Sequence, residues 1–201
     1  MPTEPVSDSS IELTVFWIEH KKKILTYVAV IAAALACYGL YAFFVQQRTA
    51  AAQDLFAKAS SDADLQAVIS KFSGTRIAGN AALELADKLR SEKKYDEAVV
   101  VLRNFIEKYP KHPLASGAWT SLAATYELQG KPDEALDTYQ QALSKYPDDY
   151  TAPLAMMSQA RIKVAQNKKE EARRLYQDVT ARFPDSPFAR EAMRELRFLK
   201  N

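Results

Sequence analysis

Apolar residues at Tyr95, Ala98, Val99, Leu102, Phe105, Ile106 and Tyr109 follow the i, i+3, i+4, i+7 recurrence of a helix that buries one stripe. Strand-type alternation is absent from this stretch. The same arrangement returns along the chain: Phe72, Tyr109, Tyr146 and Phe183 are spaced by 37 residues, as are Ala98, Ala135 and Ala172, each inside a charged stretch (YDEAV, PDEAL, KEEAR). A period of this size marks a solenoid, in which one unit cannot bury its apolar face alone and stacks on its neighbours. The pattern therefore predicts an all-α array that works as an interaction scaffold.

Three copies of the unit can be aligned. The middle one carries Trp119, Leu122, Ala123, Tyr126, Ala135, Tyr139, Ala142 and Pro147. The copy before it has Ala82, Leu85, Ala86, Leu89, Ala98, Leu102, Phe105 and Pro110 in the same slots, lacking only the large aromatic at the first. The third has Met156, Gln159, Ala160, Lys163, Ala172, Tyr176, Val179 and Pro184, with two polar departures in its first helix. Small Ala123 and Ala135 let two antiparallel helices approach, while Trp119, Tyr126 and Tyr139 fill the seam. Pro147 stops the second helix. These eight positions resemble the tetratricopeptide pattern W-x2-L-G-x2-Y, A-x3-F, P. Ser186 and Pro187 then predict the start of a C-terminal capping helix, whose apolar face is Phe188, Ala189, Ala192, Met193, Leu196 and Leu199. Upstream, residues 46 to 72 read as a degenerate leading helical pair broken near Ser60, Ser61 and Asp62, with the next break at Gly74 and Thr75.

Ahead of the repeats, Ile24 to Val45 runs for 22 residues without a charge. At about 1.5 Å per residue such a helix is about 33 Å long, enough to cross the hydrocarbon core of a bilayer. Lys21, Lys22 and Lys23 precede it, while the other flank offers only Arg48 and then Lys58, so the positive-inside rule keeps the N-terminus in the cytoplasm. Trp17, Tyr27, Tyr41, Phe43 and Phe44 suit interfacial positions and equally serve as ordinary helix fillers. Two competing readings are a cleaved secretory signal, for which Ala34-Leu35-Ala36 supplies an A-x-A match, and a lipoprotein modified at Cys37. The apolar run continues from Tyr38 to Val45 and the leading tail is long and acidic, which favours an uncleaved anchor; Ala34 stands where the lipoprotein motif prefers leucine. Ala29 and Ala33, with Ala32 and Ala36, would permit helix dimerisation. In the tail, Ser9 and Glu12 form a candidate capping box. No Gly or Pro lies between Gly39 and Gly74, so the helix is expected to continue past Gln46 and Arg48 without a sharp kink. The expected organisation is a cytoplasmic tail (1–23), a transmembrane signal anchor (24–45) and an extracytoplasmic repeat domain (46–201).

Composition adds exclusions. The net charge is +2 with interspersed signs, which leaves no nucleic-acid footprint. The lone cysteine, Cys37, permits no internal disulfide. His20 and His112 have no second ligand for a metal or nucleophile constellation and read as solvated. Five glycines supply no phosphate-cradling loop. Asp133 and Glu134, Asp148 and Asp149, and Glu170 and Glu171 read as helix-start acids that offset the dipole. No cofactor, small-molecule substrate or catalytic activity is expected.

In tetratricopeptide domains the first helix of each unit lines the concave face. That resemblance makes Leu83, Asp87, Arg90, Thr120, Ala124, Glu127, Met157, Arg161 and Val164 the candidate groove. Only Arg90 and Arg161 are basic, with Asp87 and Glu127 nearby, unlike relatives that grip a C-terminal carboxylate with Lys, Arg and Asn. An extended apolar segment or a partner helix fits such a lining, as does a groove that is not used at all.

The whole arrangement, with VFWIEHKKKIL before the apolar run and QQRTAAAQDLFAKA after it, resembles the ancillary subunit family of the bacterial SecYEG translocon. The repeats, with FIEKYPKHPLASGAW and VTARFPDSPFAREAM, are also similar to those of the periplasmic cell-division coordinator and of outer-membrane assembly lipoproteins. The first resemblance implies a non-enzymatic chaperone or adaptor in the inner membrane, facing the periplasm, with translocon subunits, exported chains or periplasmic chaperones as partners. The second implies an envelope-assembly or cell-division scaffold.

Overall fold

The computed structural model describes residues 9–199, with side chains described from Thr14 onward. The candidate capping box at Ser9 and Glu12 therefore lies outside the described side chains. Every regular element among the described residues is a helix: α1 (Ser9–Ala57), α2 (Asp62–Lys71), α3 (Arg76–Ser91), α4 (Tyr95–Lys108), α5 (Ala115–Leu128), α6 (Pro132–Lys145), α7 (Ala152–Ala165), α8 (Lys169–Arg182) and α9 (Pro187–Phe198). The chain divides at Ala50/Ala51 into two compact units.

In the first unit, α1 presents its apolar residues on all sides. Every side chain from Leu25 to Val45 is exposed, and the helix has a window of mean hydropathy 2.3 with none of it buried. It is long and apolar enough to cross a membrane. Cys37 is exposed on it. Helix α1 is unbroken through Gln46 and Arg48 to Ala57, as the lack of Gly and Pro predicts.

The second unit is the solenoid of helix pairs that the repeats predict. From α2 onward each helix packs on the next, and α7 also touches α9. The leading pair consists of the last turns of α1, where Ala52 is fully buried and Leu55 and Phe56 pack on the core, and α2. The break between them is a capping box: Ser61 Oγ accepts the Asp64 N–H at 3.1 Å while the Asp64 carboxylate accepts from the Ser61 N–H at 3.0 Å. Hydrogen bonds from the Ser61 hydroxyl and from the backbone N–H groups of Ser60 and Ser61 hold the Asp64 carboxyl below its ordinary range. At the next break Gly74 takes φ +84°, and Thr75 caps α3 by accepting the Ala78 N–H at 3.2 Å. Ser186 caps α9 in the predicted way, with Pro187 in its first turn.

The first helices of the three full pairs end alike. Lys93, Gly130 and Asn167 have φ of 62°, 71° and 61° and stand 37 residues apart. In each, the next N–H reaches back to the carbonyl five residues earlier: Lys94 to Leu89 (2.8 Å), Lys131 to Tyr126 (2.9 Å) and Lys168 to Lys163 (2.8 Å). This is a Schellman cap, and it turns the chain within three residues.

The two polar departures in α7 are absorbed by packing. Gln159 is buried and its Nε2 donates to Leu136 O at 3.3 Å, tying α7 to α6. Lys163 pairs with Glu171 at 2.8 Å, and that ammonium holds the Glu171 carboxyl below its usual range. In α9, Ala189 and Ala192 are buried but Met193 is exposed, contrary to its assignment to the apolar face. Met193 has the slot of Trp119 and Met156, and no further second helix follows α9 among the described residues to cover it.

Two other expectations are corrected. Asp148 and Asp149 precede α7 rather than opening it: the Asp149 carboxylate accepts from the Thr151 N–H and hydroxyl, both at 3.1 Å, which folds the turn. His112 is half-buried and tied down rather than freely solvated. Its Nδ1 accepts the Leu114 N–H at 3.1 Å, so Nε2 carries the proton and donates to Arg76 O at 3.3 Å. The ring lies edge-on to Phe105, with centroids 5.1 Å apart.

Candidate functional site

Three helices, α3, α5 and α7, carry the nine candidate groove residues, three on each. Their spacing of 37 gives three rows, and the rows differ in depth. The row Leu83, Thr120, Met157 lies deepest: Leu83 is half-buried, Thr120 buried, and Met157 only 1% exposed among Met156, Tyr176 and Val179. Thr120 spends its hydroxyl on Gly117 O at 2.9 Å. The row Asp87, Ala124, Arg161 is shallower, with Asp87 and Arg161 exposed and Ala124 half-buried. Of the row Arg90, Glu127, Val164, only Val164 is exposed.

Charge along these helices is partly spent internally. Arg90 Nη1 pairs with Asp87 Oδ1 at 3.1 Å. Glu127 Oε1 accepts the Tyr139 hydroxyl at 2.6 Å, a link between α5 and α6 that the pattern of the repeats did not reveal. Burial first, and then this bond to the carboxylate, raises the Tyr139 hydroxyl above its ordinary range, so it remains a donor at neutral pH. Arg161 Nη2 donates to Ser158 Oγ at 2.8 Å, a neutral partner that leaves the guanidinium charge uncompensated by contact. Arg161, Val164, Asp87 and the exposed Leu128 are thus the groups open to a ligand. Such a lip can dock a chain segment through one cation and scattered apolar contacts. It offers no proton-transfer pair or nucleophile with an adjacent base.

A repeated bridge holds these helix pairs in register. Gln129 Nε2 donates to Asp96 Oδ1 at 2.8 Å, and one repeat later Gln166 Nε2 donates to Asp133 Oδ1 at 3.0 Å. Each glutamine caps a first helix and each aspartate opens a second helix of the preceding pair. Among the described residues no group of three His, Cys, Asp or Glu side chains is placed to hold a metal ion.

Residues 15–196 match the family model of a tetratricopeptide repeat-like domain. No curated protein matches the chain. Among solved structures, the tetratricopeptide-like repeats of a kinesin light chain from Podosopora anserina are similar, with 18% identity and a TM-score of 0.56 over 77% of this chain and 84% of that one. BtubC from P. vanneervenii is similar with 18% identity and a TM-score of 0.55, over 77% of this chain and 65% of that one. The first tetratricopeptide domain of Spaghetti, solved with an HSP90 peptide, aligns at 22% identity and a TM-score of 0.49, over 61% of this chain and 90% of that one. At 18% identity the likeness to the first two is one of fold.

Proposed function

Because this chain belongs to the tetratricopeptide repeat-like domain family, we propose that it is a membrane-anchored, non-enzymatic adaptor whose repeats hold other proteins at a bacterial inner membrane. Residues 1–23 form a cytoplasmic tail, 24–45 the anchor and 46–201 a periplasmic repeat domain. Its partners are the translocon, exported chains and periplasmic chaperones, and the groove lip of Asp87, Arg161 and Val164 takes an extended segment.

The observation that carries this reading is the joining of two surfaces in one chain. Residues Leu25 to Val45 expose every apolar side chain, which water does not tolerate and a bilayer does. The repeats close their own core and leave a lip of mixed charged and apolar groups, as an interaction module does. Lys21, Lys22 and Lys23 set the orientation.

In-cell photo-crosslinking tests it, from the exposed positions Asp87 and Arg161 and from Tyr38 in α1. Thr120 and Met157 are too deep to report a partner. Channel subunits captured from Tyr38, with exported chains or chaperones captured from Asp87 or Arg161, are the expected result. Capture of cell-wall or outer-membrane machinery from the repeats, with nothing from Tyr38, would replace the translocon role with that of an envelope-assembly scaffold.

A further inference from the structure

Away from the groove, the α2–α3 and α4–α5 turns enclose a concavity of about 320 Å³. Its polar lining is Gly74, Arg76, Lys108, Tyr109, Lys111 and His112, and two prolines form apolar walls. No carboxylate lines it. Arg76, Lys108 and Lys111 take part in none of the ion pairs among the described residues, although cations elsewhere on this unit do pair, as at Lys58, Lys88, Arg90, Lys94, Lys163, Arg173 and Arg182.

The later repeats show what this place accommodates. Steps of 37 residues carry Lys108 to Lys145 and Arg182, and Gly74 to Lys111 and Asp148. Arg182 Nη2 reaches Asp148 Oδ1 at 3.4 Å and Pro147 O at 2.8 Å. In the first repeat the cation is kept and the carboxylate is replaced by a glycine. Nothing lies within 4 Å of where a Gly74 Cβ would stand. The turn itself is inverted in charge: Lys111 and His112 occupy the slots of Asp148 and Asp149, and of Asp185 and Ser186.

The remaining donors narrow the ligand. Tyr109 Oη accepts the Gly74 N–H at 3.3 Å, which leaves its own proton for an acceptor. The Thr75 N–H is used by Phe72 O and the Ala78 N–H by the Thr75 hydroxyl, so two of the backbone donors around the start of α3 are already engaged. Both ring nitrogens of His112 are engaged, Nδ1 by the Leu114 N–H within the turn and Nε2 by Arg76 O at the start of α3. Among the side chains, the lining offers three cations and one hydroxyl between apolar walls.

We propose that this concavity binds a carboxylate of an acidic segment on a partner protein. The ligand carboxylate takes the place beside Lys108 that Asp148 takes beside Arg182, Arg76 and Lys111 flank it, and the Tyr109 ring and the prolines cover apolar residues next to it. The surface lies in the turns rather than on the first helices, and it stands independently of the groove and of the membrane reading.

The test uses the full chain in neutral detergent micelles, with a fluorescent peptide of alternating Glu and Leu and the same peptide with Gln for Glu. Replacing Arg76, Lys108 and Lys111 together by Gln is expected to weaken the Glu peptide at least about tenfold, because charge-assisted contacts are lost. Replacing the exposed Lys131, Lys169 and Arg190 by Gln changes net charge equally and is expected to cost less than about twofold, through screened long-range attraction alone. Gly74→Asp supplies the missing carboxylate internally and is expected to block the peptide, whereas Gly74→Asn, under the same backbone strain, leaves binding near its original level. Equal losses from the two triple variants, equal binding of the Gln peptide, or equal effects of the two Gly74 variants would overturn the proposal. So would binding only to inorganic phosphate or to phosphatidylglycerol vesicles, with none to the peptide.

Discussion

A Cβ at Gly79 would stand 2.9 Å from His112 Cδ2 and 3.2 Å from Phe105 Cε2, so the glycine is required by what packs on it rather than by its φ. Gly79→Ala should destabilise the repeat domain by about 1–3 kcal/mol, the usual cost of overpacking. His112→Ala in the same chain should recover part of that loss, since the imidazole is the nearest obstacle; urea unfolding that shows no recovery would place the strain elsewhere. Size is exchanged between two other slots. The first copy has Ala82 with Phe105, the second Trp119 with Ala142 and the third Met156 with Val179, and Ala82 and Phe105 line one pocket together. The large aromatic missing from the first slot is thus supplied from α4. Ala82→Trp alone should cost about 1–3 kcal/mol and Phe105→Ala about 3–5 kcal/mol. Their combination should be milder than the sum by more than about 1 kcal/mol, because each change relieves the other; additivity within about 0.5 kcal/mol would rule the exchange out.

Helix boundaries repeat more faithfully than helix faces do. Gly130 and Asn167 are residue types that accept a left-handed backbone, but Lys93 holds the same cap with φ 62° and a Cβ that disfavours it. Lys93→Gly should therefore stabilise the domain by about 1 kcal/mol, read as a higher urea midpoint at unchanged slope; a fall in the midpoint would show that the lysine side chain contributes more than its backbone costs. Much at this scale was legible in the sequence. The stripe from Tyr95 to Tyr109, the break at Gly74 and Thr75, and the Ser186–Pro187 start depend on local spacing and caps, and local spacing is what a sequence displays. The depth of the groove positions was not. Thr120 and Met157 share the row of Leu83, yet how deeply each sits depends on the neighbouring helices, and the period of 37 carries no such distance. The Glu127–Tyr139 bond and the His112 wedge were hidden for a related reason. Each exists in one copy only, so no repetition announces it.

At the scale of the whole chain, two surfaces obey opposite rules. From Ala51 onward the large apolar side chains are mostly gathered into the packed solenoid, while from Leu25 to Val45 they are all exposed. In the membrane-anchored reading proposed above, a bilayer is the solvent that reconciles them, and the consequence can be measured without knowing any partner. Ile31 and Leu35 lie near the middle of the uncharged run and one helical turn apart. An arginine at the centre of a spanning helix costs about 2.5–3.5 kcal/mol on the insertion scale, and each substitution here also removes an apolar side chain that favours insertion. The pair Ile31→Arg with Leu35→Arg should move the protein from the carbonate-resistant membrane fraction to the soluble one. Its repeat domain should keep the unfolding midpoint of the parent, because neither position contributes to the solenoid core. Ser7→Arg with Ser10→Arg adds the same charge on the N-terminal side of the run, which the proposed orientation puts in the cytoplasm and the positive-inside rule then favours, and should leave the protein in the membrane. If the parent chain is itself washed from membranes by carbonate, the anchor assignment fails, and the exposed face of α1 must then be covered by protein.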